Sequence, residues 1–297
     1  MKRMFILLVG ISILMSGQGL NAAKDKKAVK KGGEVKKETS YILNFSAVAC
    51  PFSIKVNDMP VLELNLKGQI SSIIPINNTI LRSGDQELSV TINPLKGEKI
   101  PSNDASLKVY VTTSDEYRTS EEKHSAEVDF GIDQKTGTNI KDKTLPYTKK
   151  LKFKAEVPYS INILDDAVNL SGNPNVKELL MKTYKELLAM IENKEYDKIR
   201  LFFEPSESII AKMLYLGEKE KKERIDGVIE DFSKNNFKAI PLSDDVVVKF
   251  YGFGKLARLE NKDGSNALAF KNEKATFMTL DFLFYLPKSD TSKMKVF

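Results

Sequence analysis

The sequence contains few of the residues on which covalent cross-linking and nucleophilic chemistry usually depend. Its 297 residues include one cysteine, one histidine and no tryptophan. The single Cys50 excludes an intramolecular disulfide framework, and its apolar setting before Pro51 predicts a buried, inert thiol. His124 lies in a highly charged stretch, so we expect no Cys–His nucleophilic pair. The lack of tryptophan also weakens the case for a site that stacks against sugars.

The chain lacks a strong net charge once its first 37 residues are set aside. The formal charge is +6, of which Lys2 and Arg3 contribute +2 and residues 24–37, with seven lysines, one aspartate and one glutamate, contribute +5. The remainder, from Glu38 on, therefore carries a formal charge of −1. A nearly neutral body has no electrostatic footprint for nucleic acid, so we expect no nucleic-acid partner.

The first 23 residues have the pattern of an export signal. A positive start is followed by an apolar stretch over residues 5–15 and by small residues up to Ala23. The apolar stretch is shorter than the ~20 residues that cross a bilayer. It therefore predicts a secretory signal peptide over residues 1–23, cleaved after Ala22 or Ala23. We expect no transmembrane segment after cleavage, and a periplasmic or secreted protein.

Residues 24–39 form a Lys-rich segment with little hydrophobic content, which predicts a disordered, solvated tail. Such a run can contact anionic lipid or cell-wall polymers, since each lysine near such a surface adds about 1 kcal/mol. Such a run is more often a spacer, and both interpretations stay open.

Residues 40–163 alternate between apolar and polar side chains with a period of two. Clusters of Gly, Asn, Asp and Pro separate the alternating runs, and one of them predicts a turn at Ser83-Gly84-Asp85. The pattern predicts an antiparallel β-sandwich over residues 40–170. The polar stretch over residues 117–143 is rich in acidic residues, but its spacing matches no EF-hand loop, which favours a solvated loop or hairpin over a cation site.

Two sequence motifs in this region resemble those of a known fold family. Asn78, Leu81, Gly84, Gln86, Leu88 and Val90 stand as in an N-x-x-L-x-x-G-x-N/Q-x-L-x-V hairpin. Upstream, FSIKVND over residues 52–58 looks like a V-x-V-N-G hairpin. Residues 41–111 therefore resemble jelly-roll sandwiches of the galactose-binding-like type. The resemblance implies that the phrase is structural and that a ligand would bind at end loops.

Residues 170–175 break the alternation and predict a boundary, after which the period changes. Apolar residues at i, i+3, i+4 and i+7 spacing predict an amphipathic helix from Val176. Further helices are predicted over residues 195–203, 208–216 and 218–232, with Pro205 ending the first of these.

After Pro241 the period returns to two. Strands are predicted over residues 246–259, 267–270 and 275–286, with a bend at Gly252 and Gly254. Helices followed by a curved antiparallel sheet predict an α+β domain over residues 171–297, and the whole chain is then a two-domain α+β protein. The phrase LLAMIENKEYDKIRLFFEP over residues 187–205 resembles the opening of NTF2-like cone domains, in which helices precede a curved sheet around a pocket.

The C-terminal strands hold the candidate ligand-binding residues Asp281, Arg258, Tyr285 and Tyr251. Asp281 is predicted to share a strand face with Tyr285, and a carboxylate in such apolar surroundings can have a raised pKa and act as an acid or base. Arg258, on the neighbouring strand, can pair with Asp281 either in a pocket or as a structural ion pair. Gly252-Phe253-Gly254 has no helix after it, which excludes a dinucleotide-binding loop.

No set of residues in the sequence has the pattern of a catalytic centre, and we expect neither a cofactor nor a metal site. The sequence favours an exported, non-catalytic binding or structural protein of the bacterial envelope, with an envelope protein or glycan as its partner. Two alternatives stay open. One is a periplasmic inhibitor or immunity protein that binds a protein partner, and the other is an enzyme that uses Asp281 in a C-terminal pocket.

Overall fold

The computed structural model describes residues 38–65, 67–94, 99–101, 104–113, 124–130, 143–274 and 276–297. The predicted signal peptide and nearly all of the predicted Lys-rich tail lie outside these ranges. The described residues form an α+β fold with fifteen strands and three α-helices, and the strand pairs are antiparallel. Within these ranges, no helix has both the length and the apolar character needed to cross a membrane.

The first eight strands pair into two four-stranded antiparallel sheets. Their bounds are Tyr41–Val48 (β1), Phe52–Val56 (β2), Met59–Leu64 (β3), Gln69–Pro75 (β4), Arg82–Ile92 (β5), Ser106–Thr113 (β6), Ala126–Asp129 (β7) and Tyr147–Ser160 (β8). Sheet 1 has the order β4-β1-β6-β7, and sheet 2 has the order β3-β2-β5-β8.

Both sheets contribute side chains to one hydrophobic cluster. Leu43 and Phe45 of β1 and Phe52 and Ile54 of β2 are buried in it, and the ring centroids of Phe45 and Phe52 lie 5.6 Å apart. On β8, buried residues alternate with exposed ones from Phe153 to Ser160, as the period of two predicts. Burial of these alternate side chains is what stabilises the long strands.

Cys50 lies between β1 and β2 and is buried, as its apolar setting predicts. Its Sγ donates a hydrogen bond to the carbonyl of Ser106 at 3.3 Å. Burial raises the pKa of the thiol to about 11, so the thiolate is scarce at neutral pH.

The turn predicted at Ser83-Gly84-Asp85 is wrong, because these residues belong to β5. Gly84 has a φ of +124° and lies where the β5–β8 register shifts, so the glycine permits a bulge inside the strand. The predicted hairpin upstream is confirmed: Asn57 and Asp58 connect β2 to β3.

The polar stretch over residues 117–143 is not entirely a loop, because β7 lies within it and pairs with β6. The His124 ring stacks on Tyr110 with centroids 4.2 Å apart, and its Nδ1 lies 2.7 Å from a carboxylate oxygen of Glu127. Most of the remaining stretch lies outside the described residues.

Three helices follow, with bounds Val176–Glu192 (α1), Tyr196–Met213 (α2) and Glu218–Asn235 (α3). The helix predicted from Val176 is confirmed. The break predicted at Pro205 is wrong, because α2 continues through it. Pro205 is exposed, and Leu201, whose carbonyl loses the N–H of residue 205, has a side chain that is 74% exposed. Water can therefore satisfy that carbonyl, and the proline is tolerated.

Seven short strands complete the fold in two further sheets. Their bounds are Lys238–Ala239 (β9), Val247–Tyr251 (β10), Leu256–Glu260 (β11), Ala269–Lys271 (β12), Phe277–Thr279 (β13), Phe284–Tyr285 (β14) and Lys295–Val296 (β15). Sheet 3 has the order β10-β11-β14-β15, and sheet 4 has the order β13-β12-β9.

Two of the long strands predicted in this part are wrong. Residues 246–259 form a hairpin, since β10 pairs with β11 across a turn at Gly252–Lys255. Residues 275–286 are interrupted, because β13 pairs in sheet 4 whereas β14 pairs in sheet 3. Asp281 therefore lies in the irregular segment between sheets and does not share a strand face with Tyr285.

The N-terminal sheets and the C-terminal part meet in a small hydrophobic cluster. Met59 of β3 packs there with Leu164, Tyr251, Leu256 and Tyr285, together with Ala167. This cluster places the β10–β11 hairpin, with its candidate ligand-binding residues, against the β2–β3 connection.

Candidate functional site

The β10–β11 hairpin places charged side chains on one face and apolar side chains on the other. Tyr251 lies opposite Leu256 and Lys249 lies opposite Arg258, so these residues share a face with Glu260, two residues beyond Arg258. The opposite face carries Ala257 and Leu259, which are buried in a second large hydrophobic cluster together with helix residues such as Leu180 of α1. The face with the charges is therefore turned toward the junction with the N-terminal sheets.

Tyr251, Arg258 and Glu260 form a buried network centred on one carboxylate oxygen. Arg258 Nε donates to Glu260 Oε1 at 2.8 Å, and Arg258 Nη2 lies 2.7 Å from the same oxygen. The Tyr251 hydroxyl also donates to Glu260 Oε1, at 2.8 Å. The three residues are at most 9% exposed, so the ionic charges are compensated within the protein.

Two cations lie against the ring of Tyr251. The guanidinium carbon of Arg258 lies 5.1 Å from the ring centroid, and the Lys55 ammonium lies 5.0 Å from it. Both distances are within the range of a cation–π interaction. Lys55 also donates to Asp58 Oδ1 at 3.0 Å, which connects the network to the β2–β3 connection.

Asp281 contacts this network from its edge. Arg258 Nη1 lies 3.8 Å from Asp281 Oδ1, farther than its contacts with Glu260. Asn266 Nδ2 donates to the same Asp281 oxygen and to the Leu280 carbonyl at 3.0 Å, while Asn266 Oδ1 accepts from the Leu268 amide at 2.8 Å. These bonds hold Asp281 where the chain crosses from sheet 4 to sheet 3.

Burial and the neighbouring charged groups together set the protonation of the network. Burial raises the pKa of Tyr251 far above its ordinary value, an effect that Arg258 opposes and Glu260 reinforces. The pKa of Arg258 is also raised, because the nearby Tyr251, Glu260 and Asp281 outweigh desolvation, which acts in the opposite direction. At neutral pH the phenol and the guanidinium are therefore donors bonded to Glu260. This arrangement can hold the hairpin in place, but it offers no unengaged acid or base.

The structure places the four sequence-predicted residues at one junction. Tyr251 and Arg258 contact each other, and Asp281 approaches Arg258. Tyr285 lies in the hydrophobic cluster beside Tyr251, and burial raises its pKa. Glu260, the main partner of Arg258, was missed. The alternation of β11 contained the signal for it, because residues i and i+2 of a strand share a face.

The turn between β10 and β11 exposes a phenyl ring on a strained backbone. Gly252, Phe253 and Gly254 have φ values of +56°, +57° and +85°, and the Phe253 side chain is 63% exposed. A non-glycine residue in the left-handed region costs roughly 1–2 kcal/mol. At Gly254 the φ of +85° favours glycine, and a Cβ there would lie 2.9 Å from Ser171 Oγ and 3.0 Å from Asn169 Oδ1, so these side-chain atoms would have to shift.

Neighbouring segments hold this turn on two sides. The Gly252 amide donates to the Asp58 carbonyl at 3.2 Å, and the Phe253 amide donates to Asp58 Oδ2 at 3.0 Å. On the other side, the Leu170 amide donates to the Gly254 carbonyl at 2.7 Å. The Phe253 backbone is therefore fixed while its ring remains in solvent.

The β2–β3 connection, which holds the Phe253 turn, is itself held in place by hydrogen bonds. Asn57 and Asp58 both have positive φ values, +52° and +58°. Asn57 Nδ2 donates to the Thr79 carbonyl at 2.8 Å and to Gln86 Oε1 at 2.7 Å, while Asn57 Oδ1 accepts from the Glu87 amide at 3.0 Å. The β2–β3 connection is thus anchored to β5 before it contacts the Phe253 turn.

Two open clefts lie away from these residues. A cleft of about 350 Å³ is lined by α1 residues such as Glu178 and by Thr291. One of about 510 Å³ lies between α2 and α3 and is lined by Arg200, Asp226 and Lys234 among others. Asp281 lines neither cleft, so neither supplies the pocket that the enzyme alternative requires. Among the described residues, no group of His, Cys, Asp and Glu is placed to hold a metal ion.

Comparison of the chain with protein-family models, with curated proteins and with solved structures finds no match.

Proposed function

We propose that this chain is an exported, non-catalytic binding protein of the bacterial envelope and that the Phe253 turn is its recognition element. The proposal of export rests on the sequence pattern of residues 1–23, and it places the protein in the periplasm or outside the cell. In the same proposal, the two four-stranded sheets pack as a sandwich domain and residues 171–297 form a second, α+β domain. The hydrophobic cluster shared by β1 and β2 supports the sandwich packing.

The observation that carries the binding function is the exposed ring of Phe253 on a strained and supported turn. Strained residues persist where the surrounding structure over-determines them, and they cluster at functional sites. Aromatic side chains are enriched at the centres of protein interfaces, where a few residues supply most of the binding energy. Because Asp58 already fixes the backbone, docking of the ring costs little conformational entropy.

The network around Glu260 favours a binding role over catalysis. The Tyr251 hydroxyl and the Arg258 guanidinium are bonded to the same carboxylate oxygen, and Asp281 accepts from Asn266. A general acid or base must be able to reach a substrate and exchange its proton near the working pH. We therefore assign these residues to stabilisation of the hairpin that presents Phe253.

The partner that we favour is an envelope protein with an apolar pocket for the ring. A phenyl ring has no hydroxyl with which to hydrogen-bond a sugar, although an envelope glycan remains the competing partner. A periplasmic inhibitor or immunity protein is a specific form of this proposal, since such a protein needs a rigid exposed anchor. In that case the partner is an enzyme, and stoichiometric binding lowers its activity.

The test is cross-linking and capture from envelope extract with the chain from Lys24 on, comparing wild type, Phe253→Ala and Leu201→Ala. Leu201 is the matched control, because it is also apolar and exposed but lies on α2. We expect one protein to be retained by wild type and by L201A, with a loss of about tenfold or more for F253A. Urea unfolding of the three proteins checks that they remain folded.

Equal retention by F253A and wild type would rule out the turn as the recognition element. Retention on cell-wall glycan that F253A leaves unchanged would move recognition to another surface.

A further inference from the structure

Among the described strands of the two N-terminal sheets, four lie at sheet edges, and three of these edges carry features that oppose pairing with another chain. Edge strands present unpaired N–H and C=O groups, and proteins protect them with charged side chains, proline, bulges or short length. The protecting residues are Lys150, Lys152 and Lys154 on β8, Pro60 and Glu63 on β3, and Glu127 and Asp129 on the four-residue β7.

The fourth edge, β4, lacks this protection along its length. Its sequence QISSIIP contains no charged residue, and a proline stands only at its last position. Gln69, Ser71 and Ser72 are exposed, and the Ile73 side chain is 46% exposed. Among the described strands, β1 is the only one that pairs with β4, and it occupies one side. None of the described strands pairs with the backbone on the other side of β4.

The side chains of β4 are arranged symmetrically about Ser72. Ile70 and Ile74 lie two residues to either side and pack against the N-terminal cluster. Ser71 and Ile73 point to the opposite face. If two copies of β4 pair antiparallel around Ser72, Ile70 lies opposite Ile74 of the second copy, and Ser71 lies opposite its Ile73. Apolar side chains then meet on the inner face, and no like charges are opposed.

We propose that β4 pairs with β4 of a second copy of this chain, joining the two copies of sheet 1 into one eight-stranded antiparallel sheet. A two-fold contact requires one surface that is complementary to itself, and the arrangement about Ser72 meets this requirement. The competing occupant from the same chain, residues 24–37, is half lysine and has no alternating apolar residues, so it matches β4 poorly. This proposal concerns a different surface from the Phe253 turn and goes beyond the proposed binding function.

The experiment measures the oligomeric state of the chain from Lys24 on by sedimentation velocity over a range of micromolar concentrations. Ser72→Lys places two lysines face to face at the two-fold axis, and Thr148→Lys adds the same charge to the exposed position 148 of the β8 edge. We expect a dimer for wild type and T148K, and a dimer dissociation constant raised about tenfold or more for S72K. Circular dichroism checks that the variants are folded.

A charge-pairing experiment tests the register directly. Ser72→Glu alone should weaken the dimer as S72K does, whereas an equimolar mixture of S72K and S72E should recover it. Recovery of the dimer requires that residue 72 of one copy lies opposite residue 72 of the other copy.

Three results would overturn the proposal. The first is a wild type that is monomeric throughout the concentration range, and the second is an S72K variant whose dimer is unchanged. The third is that a chain starting at Glu38 dimerises whereas the chain starting at Lys24 does not. That result would assign residues 24–37 to the β4 edge instead of a second copy. The F253A variant should dimerise like wild type, so the two proposals fail independently.

Discussion

The strands and the turn of the β10–β11 hairpin differ in which kind of side chain is buried and which is exposed. On the strands, Arg258 and Glu260 are charged, buried and bonded to each other. At the turn, Phe253 is apolar and exposed. Charged residues are the first candidates for a functional site in a sequence, yet here Arg258 and Glu260 bond to each other inside the protein. The more informative observation is that the apolar ring of Phe253 is exposed to solvent.

The largest expected effect comes from breaking the buried pair. Arg258→Met removes the main cation from Glu260, which is only 4% exposed, so we expect a loss of about 3–5 kcal/mol in the free energy of unfolding. Urea denaturation measures this loss. The matched control is Lys262→Met, which breaks the exposed Lys262–Asp245 pair and should cost no more than about 1 kcal/mol. Equal losses for the two variants would contradict the assigned role of the network.

The network should also make the protein sensitive to alkali. Burial raises the folded-state pKa of Tyr251 above the ordinary value of 10.0, so the folded protein holds this proton more tightly than the unfolded chain. The resulting stability is present below pH 10 and is lost as pH rises, by up to about 1.4 kcal/mol per pH unit for one group. Tyr251→Phe should show a shallower decline above pH 10 than wild type in urea denaturation at several pH values. Parallel declines would exclude a contribution from Tyr251.

Asp281 should matter less than Glu260, since Arg258 lies farther from it and an amide can still accept from Asn266. We expect Asp281→Asn to lower the free energy of unfolding by about 1 kcal/mol and to leave partner capture unchanged. A variant that stays fully stable but loses a function of the protein would instead support the enzyme alternative.

The smallest expected effect concerns the backbone of the turn. Phe253→Gly relieves the left-handed strain that Phe253→Ala retains, so F253G should be more stable than F253A by about 0.5–1 kcal/mol. Thermal or urea unfolding of both variants measures the difference. A more stable F253A would show that the strain assigned to residue 253 is absent in solution.

The sequence predicted the N-terminal strands better than the C-terminal ones, for a physical reason. In β8, buried and exposed residues alternate over a long stretch, and this period reads directly as a strand. The strand predicted over residues 275–286 is more continuously apolar, and its described part crosses between two sheets, because β13 pairs with β12 and β14 pairs with β11. Apolar character predicts burial, but it does not identify the sheet in which each residue pairs.

The sequence also predicted only part of the candidate site. The sequence selected Arg258 and Asp281 as a pair, and the structure places them within 3.8 Å of each other. It did not select Glu260, whose position two residues beyond Arg258 was readable from the strand period. Phe253 was interpreted only as part of a bend, because exposure of a ring depends on which segments cover it.

Local periodicity by itself determined the α+β class, the helix from Val176 and the alternation of the long N-terminal strands. The apolar neighbours of Cys50 predicted its burial, and all of these features depend on residues close together in the chain. Only the tertiary structure decided that the Arg258–Glu260 pair is buried, that Asp58 holds the turn of Phe253, and that no described strand pairs with the outer side of β4. Asp58 and Phe253 are separated by 195 residues. Contacts at such separation depend on how the sheets pack, and no local pattern encodes that packing.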